Sequence, residues 1–347
     1  MFDKLIGNAP VKEILRRMLK ARRVPHSLLL AGAAGVGKRQ FALEIAKAFV
    51  CQNPQAFEAC DLCAACRRAD RFDFPKLDQK DDYERVIFSE HPDIGAVVPF
   101  KNNILVDAVR SLEREANFRP FEAKARFFIV DEAEKLSAAK DNAANALLKT
   151  LEEPPPTSYI FLVASRPDAL LPTILSRCQI LRFAPLASEE IENYLLRTKH
   201  FSPADASLLA AISNGSIGRA LETDLEKFRA SRDAMLKVLS SLLIKPDRSA
   251  LLRAAEEMND AKNKDDYDRT LEILETLIHD VWALRLGRSE IVNADIRNHL
   301  NEFAERGSAK RLAAWLAEIE TMRANFAVNL NRKIATDALF MQMATSL

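Results

Sequence analysis

Apolar residues follow two different rhythms along this chain. Over residues 1–185 short apolar runs recur at 26–31 (HSLLLA), 94–98, 126–130 (RFFIV), 159–164 and 179–183, with amphipathic stretches between them. Runs of this length bounded by polar residues read as buried strands. Their alternation with helical stretches such as 39–49 (RQFALEIAKAF) predicts βα units around a parallel sheet. After Pro185 the strand signals stop. Ser188-Glu189-Glu190 offers a cap and first-turn acids to a helix reaching Lys199, Ser202-Pro203 starts the next, and 217–230 forms another. From about Met235 the amphipathic stretches lengthen, and in 267–286 Leu271, Leu274, Ile278, Val281 and Trp282 fall on one helical face. Core packing accounts for that stripe, and so does a bundle that also packs against neighbouring subunits. The pattern divides the chain into an α/β domain at 1–184, a small helical lid at 185–232 and a helical domain at 233–347. One charged stretch, 67–90, has little periodicity and reads as an exposed insertion.

Candidate chemistry sits where strand gives way to helix. Gly32-Ala33-Ala34-Gly35-Val36-Gly37-Lys38 follows the first apolar run and opens the 39–49 helix, the order a phosphate-binding loop (P-loop) requires. In such a loop the glycines let backbone N–H groups wrap the phosphates, the lysine reaches the outer ones, and a Ser or Thr after the lysine holds Mg²⁺. Here that last position is Arg39, which has no acceptor to offer a metal. ATP or ADP is therefore expected to bind through the loop and Lys38 without a conventional Mg²⁺ site, and with little hydrolysis. The 126–130 run ends in Asp131-Glu132, which an open α/β sheet delivers to the same crevice. Asp131 is placed to hold Mg²⁺ and Glu132 to polarise an attacking water; a strand followed by a solvated acidic helix start is the plainer alternative.

Composition narrows the rest. At 347 residues, 48% hydrophobic and 29% charged, the chain suits two or three globular domains. Lys+Arg of 50 against Asp+Glu of 49 leaves a net charge of +1, so no global field draws it to DNA or a membrane, and any nucleic-acid contact is local or shared with partners. Neither an apolar signal core nor a run of membrane-spanning length is evident, which predicts a cytoplasmic protein. Four of the five cysteines, Cys51, Cys60, Cys63 and Cys66, form C-x8-C-x2-C-x2-C, a spacing that predicts a closed four-thiolate Zn²⁺ site, structural rather than catalytic. Disulfides are the competing reading, and a reducing cytoplasm disfavours them. Cys178 stands alone and reads as a small buried hydrophobe.

Several segments in order resemble the AAA+ subunits of the bacterial DNA polymerase III clamp loader, of the delta-prime or gamma/tau type. They are Pro25-His26-Ser27-Leu28-Leu29, the phosphate loop, the four cysteines, Asp131-Glu132-Ala133-Glu134-Lys135-Leu136, the stretch from Asn145 through Thr150-Leu151-Glu152-Glu153-Pro154-Pro155, and Leu171-Pro172-Thr173-Ile174-Leu175-Ser176-Arg177-Cys178. Weaker matches follow at 215–221 and at Asn329-Leu330-Asn331-Arg332-Lys333. The resemblance implies an AAA+ α/β module, a helical lid and a helical collar. It implies that Arg177, in the Ser-Arg-Cys triplet, is an arginine finger for ATP on the adjacent subunit. It further puts Ser165 at the sensor 1 position and Arg219 at the sensor 2 position; an ordinary polar residue at a strand end and an exposed helix arginine stay open for these two. Implied partners are clamp loader subunits of gamma/tau and delta type, the sliding clamp, and primed DNA within the assembled complex. Gamma/tau motors are expected to keep Thr after the lysine and tau carries a long extension, so Arg39 and the length of this chain point to the delta-prime type. A gamma-type motor using its own Lys38 and Glu132 is the alternative, followed by a related AAA+ protein outside replication.

Overall fold

The computed structural model describes residues 1–137, 142–198, 201–260, 266–325 and 331–345. Two compact units emerge, Met1–Tyr194 with Ser213–Leu221, and Leu195–Ile212 with Glu222–Leu347.

The first unit is built on a six-stranded sheet of order β2-β3-β4-β5-β1-β6. Its strands are β1 (Ser27–Ala31), β2 (Ile87–Phe88), β3 (Ile94–Val97), β4 (Arg126–Val130), β5 (Ser158–Ala164) and β6 (Gln179–Arg182), all parallel to their neighbours except β2. Side chains alternate across a strand, and both faces of this sheet are covered. Leu28 and Leu30 of β1 join Phe127 and Ile129 of β4 in a core under helices α1 (Ala9–Lys20), α2 (Lys38–Val50) and α3 (Ala64–Ala69). Their neighbours Leu29, Ala31, Phe128 and Val130 face the opposite core, under α4 (Val106–Ala116), α5 (Asn142–Glu152) and α6 (Pro172–Leu175). Two-sided burial is why these strands read as continuous apolar runs instead of alternating ones.

The stretch 67–90 departs from the exposed insertion expected. It carries β2, which adds antiparallel to the sheet edge through Ile87 opposite Ala96, and it buries Tyr83 and Val86. A two-residue edge strand is too short for any periodicity to show.

The helices that follow are α7 (Ser188–Thr198), α8 (Pro203–Ile212), α9 (Ile217–Glu222), α10 (Leu225–Leu243), α11 (Arg248–Met258), α12 (Tyr267–Arg285), α13 (Arg297–Arg306), α14 (Ala309–Asn325) and α15 (Arg332–Thr345). Lys199, the expected end of α7, and Asn329-Leu330 lie outside the described residues. The helix anticipated over 217–230 is two: α9 ends at Glu222, and the Asp224 carboxylate caps α10 by accepting from the N–H groups of Glu226 (3.0 Å) and Lys227 (3.1 Å). A capping aspartate satisfies orphan N–H groups at a helix start and so prefers a new beginning to a helix interior.

In the second unit the expected stripe of α12 is core: Leu271, Leu274, Ile278 and Val281 are fully buried, and Trp282 is partly so. Two buried charges inside it find partners. Asp280 accepts from the N–H groups of Val292 and Asn293 at 2.9 and 2.8 Å, and buried Arg232 binds both carboxylate oxygens of Asp295. Both tryptophans of the chain, Trp282 and Trp315, belong to this unit, so their fluorescence reports on it alone. Leu271→Ala is expected to destabilise this unit by about 2–5 kcal/mol, the usual range for a buried leucine truncation, measured as an earlier urea transition by tryptophan fluorescence. An unshifted transition would show that α12 is not central to the core.

Candidate functional site

Strand order sets the site. β5 lies between β4 and β1, so the residues after these three strands, Asp131, Ser165 and the loop beginning at Gly32, line up along the carboxyl edge of the sheet. That edge is where open α/β sheets bind ligands. The loop's backbone requires glycine at Gly35 (φ +73°) and at Gly37 (φ +95°), which caps α2. Lys38 is 4% exposed, and its Nζ donates to the carbonyls of Gly32 (2.7 Å) and Ala33 (2.6 Å), with Ser165 Oγ at 3.5 Å. Burial lowers the pKa of Lys38, against the pull of Glu134 and Asp131. The lysine thus closes the loop upon itself, leaving a turn that leads into a helix N-terminus, a geometry suited to anions. The loop is also braced from outside: Gly218 of α9 donates its N–H to the Gly35 carbonyl at 2.9 Å, and a Cβ on Gly35 would sit 2.1 Å from Ser216 Oγ.

Next to this loop the Arg39 guanidinium pairs with Asp131, Nη1 to Oδ2 at 3.3 Å. The other carboxylate oxygen accepts from the Glu132 N–H at 3.1 Å. Burial raises the pKa of Asp131, and the Arg39 charge opposes that rise. Glu132 stands in a left-handed backbone conformation (φ +46°) and its carboxylate pairs with Lys135 at 2.7 Å. Glu134 is the carboxylate that reaches the expected sensor segment: both its oxygens accept from the Ser165 N–H at 3.2 Å. Sequence reasoning missed Glu134, although a third acid in Asp131-Glu132-Ala133-Glu134 with buried Ala133 between was the available signal. It missed Phe72 and Phe74 as well, whose rings lie beneath Arg39.

Of the remaining expected site residues, the Arg219 backbone lies beside the loop and Arg177 lies apart from it. Arg219 lies in α9, with its backbone N–H on Ser216 Oγ at 3.1 Å. Arg177, in the turn between α6 and β6, is engaged by its own chain: it pairs with Glu152 and donates to the Thr173 carbonyl (2.8 Å) and Ser176 Oγ (3.4 Å).

The four cysteines converge, with all Sγ atoms within 4.8 Å of one another, Cys51 to Cys60 at 3.5 Å and Cys51 to Cys63 at 4.0 Å. A tetrahedral shell with Zn–S bonds near 2.3 Å puts sulfurs about 3.8 Å apart, so the donor set can hold a metal such as zinc. Backbone N–H groups of Cys60, Cys63 and Cys66 each donate to the sulfur of the preceding cysteine, at 3.3, 3.4 and 3.5 Å, favouring thiolate. Burial pushes the Cys63 thiol up, but the backbone groups of Cys66 and Gln52 and the adjacent thiols outweigh it and bring it down to about 6, whereas burial wins at Cys51 and Cys66 and raises both. Cys178 is buried in the core beside α6 with its thiol pushed up to about 12 by burial, as an inert hydrophobe would be. Among the described residues no helix is long and apolar enough to cross a membrane.

The family described as "DNA polymerase III, delta subunit" matches residues 7–187, and "DNA polymerase III, delta subunit, C terminal" matches residues 229–344. The chain is similar to DNA polymerase III subunit delta' of Pseudomonas aeruginosa, 32% identical over 333 residues and 92% of each chain. It is similar to subunit delta' of Bacillus subtilis, 28% identical over 321 residues and 91% of each. Similarity to Bacillus subtilis subunit tau, 28% identical over 281 residues, takes in 79% of this chain but 46% of tau.

What joins the cysteine loop to α2 is buried charge. Lys47, fully buried on α2, binds Glu44 (3.2 Å), Asp61 (2.6 Å) and Asp70 (2.8 Å), and Lys4 adds bonds to Glu44 (2.6 Å) and Asp61 (3.0 Å). Burial alone would lower the Lys47 pKa, but hydrogen bonds to Asp61 and Asp70 raise it above its ordinary 10.5. A raised lysine stabilises the fold fully below pH 10.5 and loses that effect as pH climbs through the folded-state value. Lys47→Met removes the cation shared by three carboxylates, leaving Lys4 alone with Glu44 and Asp61, and Asp70 without this ion pair, and is expected to destabilise the first unit by about 3 kcal/mol, read by circular dichroism during thermal unfolding at neutral pH. A variant as stable as the parent would show that the cluster is ornamental.

Proposed function

Because this chain belongs to the delta-prime family of DNA polymerase III clamp loader subunits, we propose that it serves in that complex as a non-hydrolysing member that supplies Arg177 to the ATP site of a neighbouring subunit. The complex would contain gamma/tau-type and delta-type subunits and would load the sliding clamp onto primed DNA in the cytoplasm. The observation that carries the reading is the match to delta-prime relatives along nearly the whole chain, spanning both units. Within the family, the Arg39–Asp131 pair favours the delta-prime role over a gamma-type motor, since the carboxylate that a motor uses for Mg²⁺ is engaged by a guanidinium. Glu132, the water-polarising residue of a motor, is paired with Lys135 instead.

In this reading Gly32, Gly35, Gly37 and Lys38 retain the capacity to hold ATP or ADP, flanked by Asp131, Ser165 and Arg219, without turnover. Residues 185–232 act as the lid and 233–347 as the collar that joins subunits. Cys51, Cys60, Cys63 and Cys66 hold one structural Zn²⁺, whose full protein shell leaves no position for a reacting water. Arg177 suits a finger because a planar guanidinium spreads charge over phosphate oxygens, and its 29% exposed side chain lies in a turn rather than in the core. To act in trans it must exchange Glu152 for a phosphate.

Two outcomes are expected. Reduced protein should contain one Zn²⁺ per chain by elemental analysis, and Cys63→Ser should lose it together with local folding, as structural zinc contributes on the order of 10 kcal/mol; metal-free wild-type protein with native stability would remove zinc from the account. Arg177→Ala should leave this chain folded and able to assemble, yet lower ATP turnover of the reconstituted complex with clamp and primed DNA by at least about tenfold, with Arg177→Lys rescuing poorly. Unchanged turnover at matched assembly would reduce Arg177 to a surface charge.

A further inference from the structure

The loop is complete as far as Lys38, and beyond it Arg39 stands where the motif has its metal-binding hydroxyl. Its guanidinium is held from two directions. Asp131 Oδ2 accepts from Nη1 at 3.3 Å, while the Phe74 ring lies 4.4 Å and the Phe72 ring 5.9 Å from the guanidinium carbon. The two rings stack on one another, centroids 5.2 Å apart and 11° from parallel. They are fixed in turn by the bridge between Phe72 and Ser89 and by the Arg71–Glu90 pair at 3.2 Å, next to β2. Cations are attracted to an aromatic face within about 6 Å, so the two rings hold the guanidinium in place without adding a counter-charge to that of Asp131.

Mg²⁺ does not fit here. It demands octahedral oxygen ligation at about 2.0–2.1 Å, whereas position 39 provides no oxygen, and both Asp131 oxygens already accept hydrogen bonds, from Arg39 and from the Glu132 N–H. A second cation would also face the guanidinium across the same carboxylate. Arg39 itself keeps donors to spare. Of five N–H groups, one engages Asp131, and the side chain is 41% exposed.

We infer that Arg39, clamped by Phe72 and Phe74, is a resident cation that replaces Mg²⁺, so that the loop takes a nucleoside di- or triphosphate in its metal-free form. The inference rests on the reading of residues 32–38 as a phosphate loop. It gives the 67–90 stretch a task at the site: its aromatic pair fixes the charge that the ligand meets. Metal-free nucleotide carries more negative charge than its Mg²⁺ complex, and Lys38, Arg39 and the loop N–H groups are the complement to that charge.

The test is isothermal titration calorimetry of the full chain with ADP and with ATP, in excess Mg²⁺ and in EDTA. Wild type should bind at least as tightly in EDTA as in Mg²⁺. Arg39→Thr should reverse the order, with Mg²⁺ tightening binding by about tenfold or more. Phe74→Ala, which removes an exposed ring and should leave the fold intact, should weaken wild-type binding in EDTA severalfold, and Lys38→Ala should abolish binding in both buffers. Wild-type binding that tightens about tenfold in Mg²⁺ would overturn the resident cation while leaving the phosphate loop standing. Binding by Arg39→Thr alone would show that Arg39 is a plug and overturn the inference. Absence of binding by both proteins would overturn the phosphate-loop reading with it.

Discussion

Helix α2 is buried on nearly every side, and the first unit is organised around what that burial demands. Phe41, Ala42, Ile45 and Ala46 fill the core under the sheet, but the same helix carries Glu44 and Lys47, both fully buried. An isolated charge in such a place is prohibitive. Partners therefore have to be brought in, and they come from the cysteine loop as Asp61 and Asp70 and from the chain start as Lys4. The cysteine cluster is in this sense an extension of α2: its loop supplies the counter-charges that let the helix be buried. Because α2 begins at Gly37 and Lys38, one rigid element has a candidate metal cluster against one end and a phosphate loop at the other.

The lysine and two arginines proposed to meet phosphate are each engaged by oxygen atoms of the chain itself. Lys38 rests on two loop carbonyls, Arg39 on Asp131, and Arg177 on Glu152. Such contacts have opposite meanings for a ligand. Carbonyl partners leave the lysine its charge and shape the loop around it. Carboxylate partners must be shared or exchanged, so the phosphate binding proposed for Arg39 and Arg177 would be a competition between two anions for one guanidinium. Arg39 is held in addition by aromatic faces, which do not compete for its hydrogen bonds.

Much of this was legible in the sequence because it depends on local pattern. The strands announced themselves as unbroken apolar runs, the loop as glycines between strand and helix, and the four-cysteine cluster as cysteine spacing. Cys178 read as core and is core. What escaped lies in contacts between segments distant in sequence. Nothing in 67–90 marks Phe72 and Phe74 as partners of Arg39, since that requires β2 to join the sheet edge and turn the preceding chain toward α2. Nothing near Arg177 marks Glu152, 25 positions earlier, as its ion-pair partner. The acids after β4 were visible, but their division of labour was not: a left-handed turn at Glu132 sends its carboxylate to Lys135 and leaves Glu134 to meet Ser165.

The packing of α9 on the phosphate loop has a consequence for how this sequence can vary. Gly35 and Gly218 meet backbone to backbone, and a Cβ on Gly218 would lie 3.0 Å from the Gly35 Cα, while one on Gly35 would strike Ser216. A side chain at Gly35 would need both a strained left-handed backbone and a displaced or shortened Ser216, whereas one at Gly218 would have to push the Gly35 backbone away by a few tenths of an ångström. The two positions therefore drift under unequal constraint: a change at 218 loosens the seat of α9, while a change at 35 is tolerable only in a lineage where Ser216 has already become smaller.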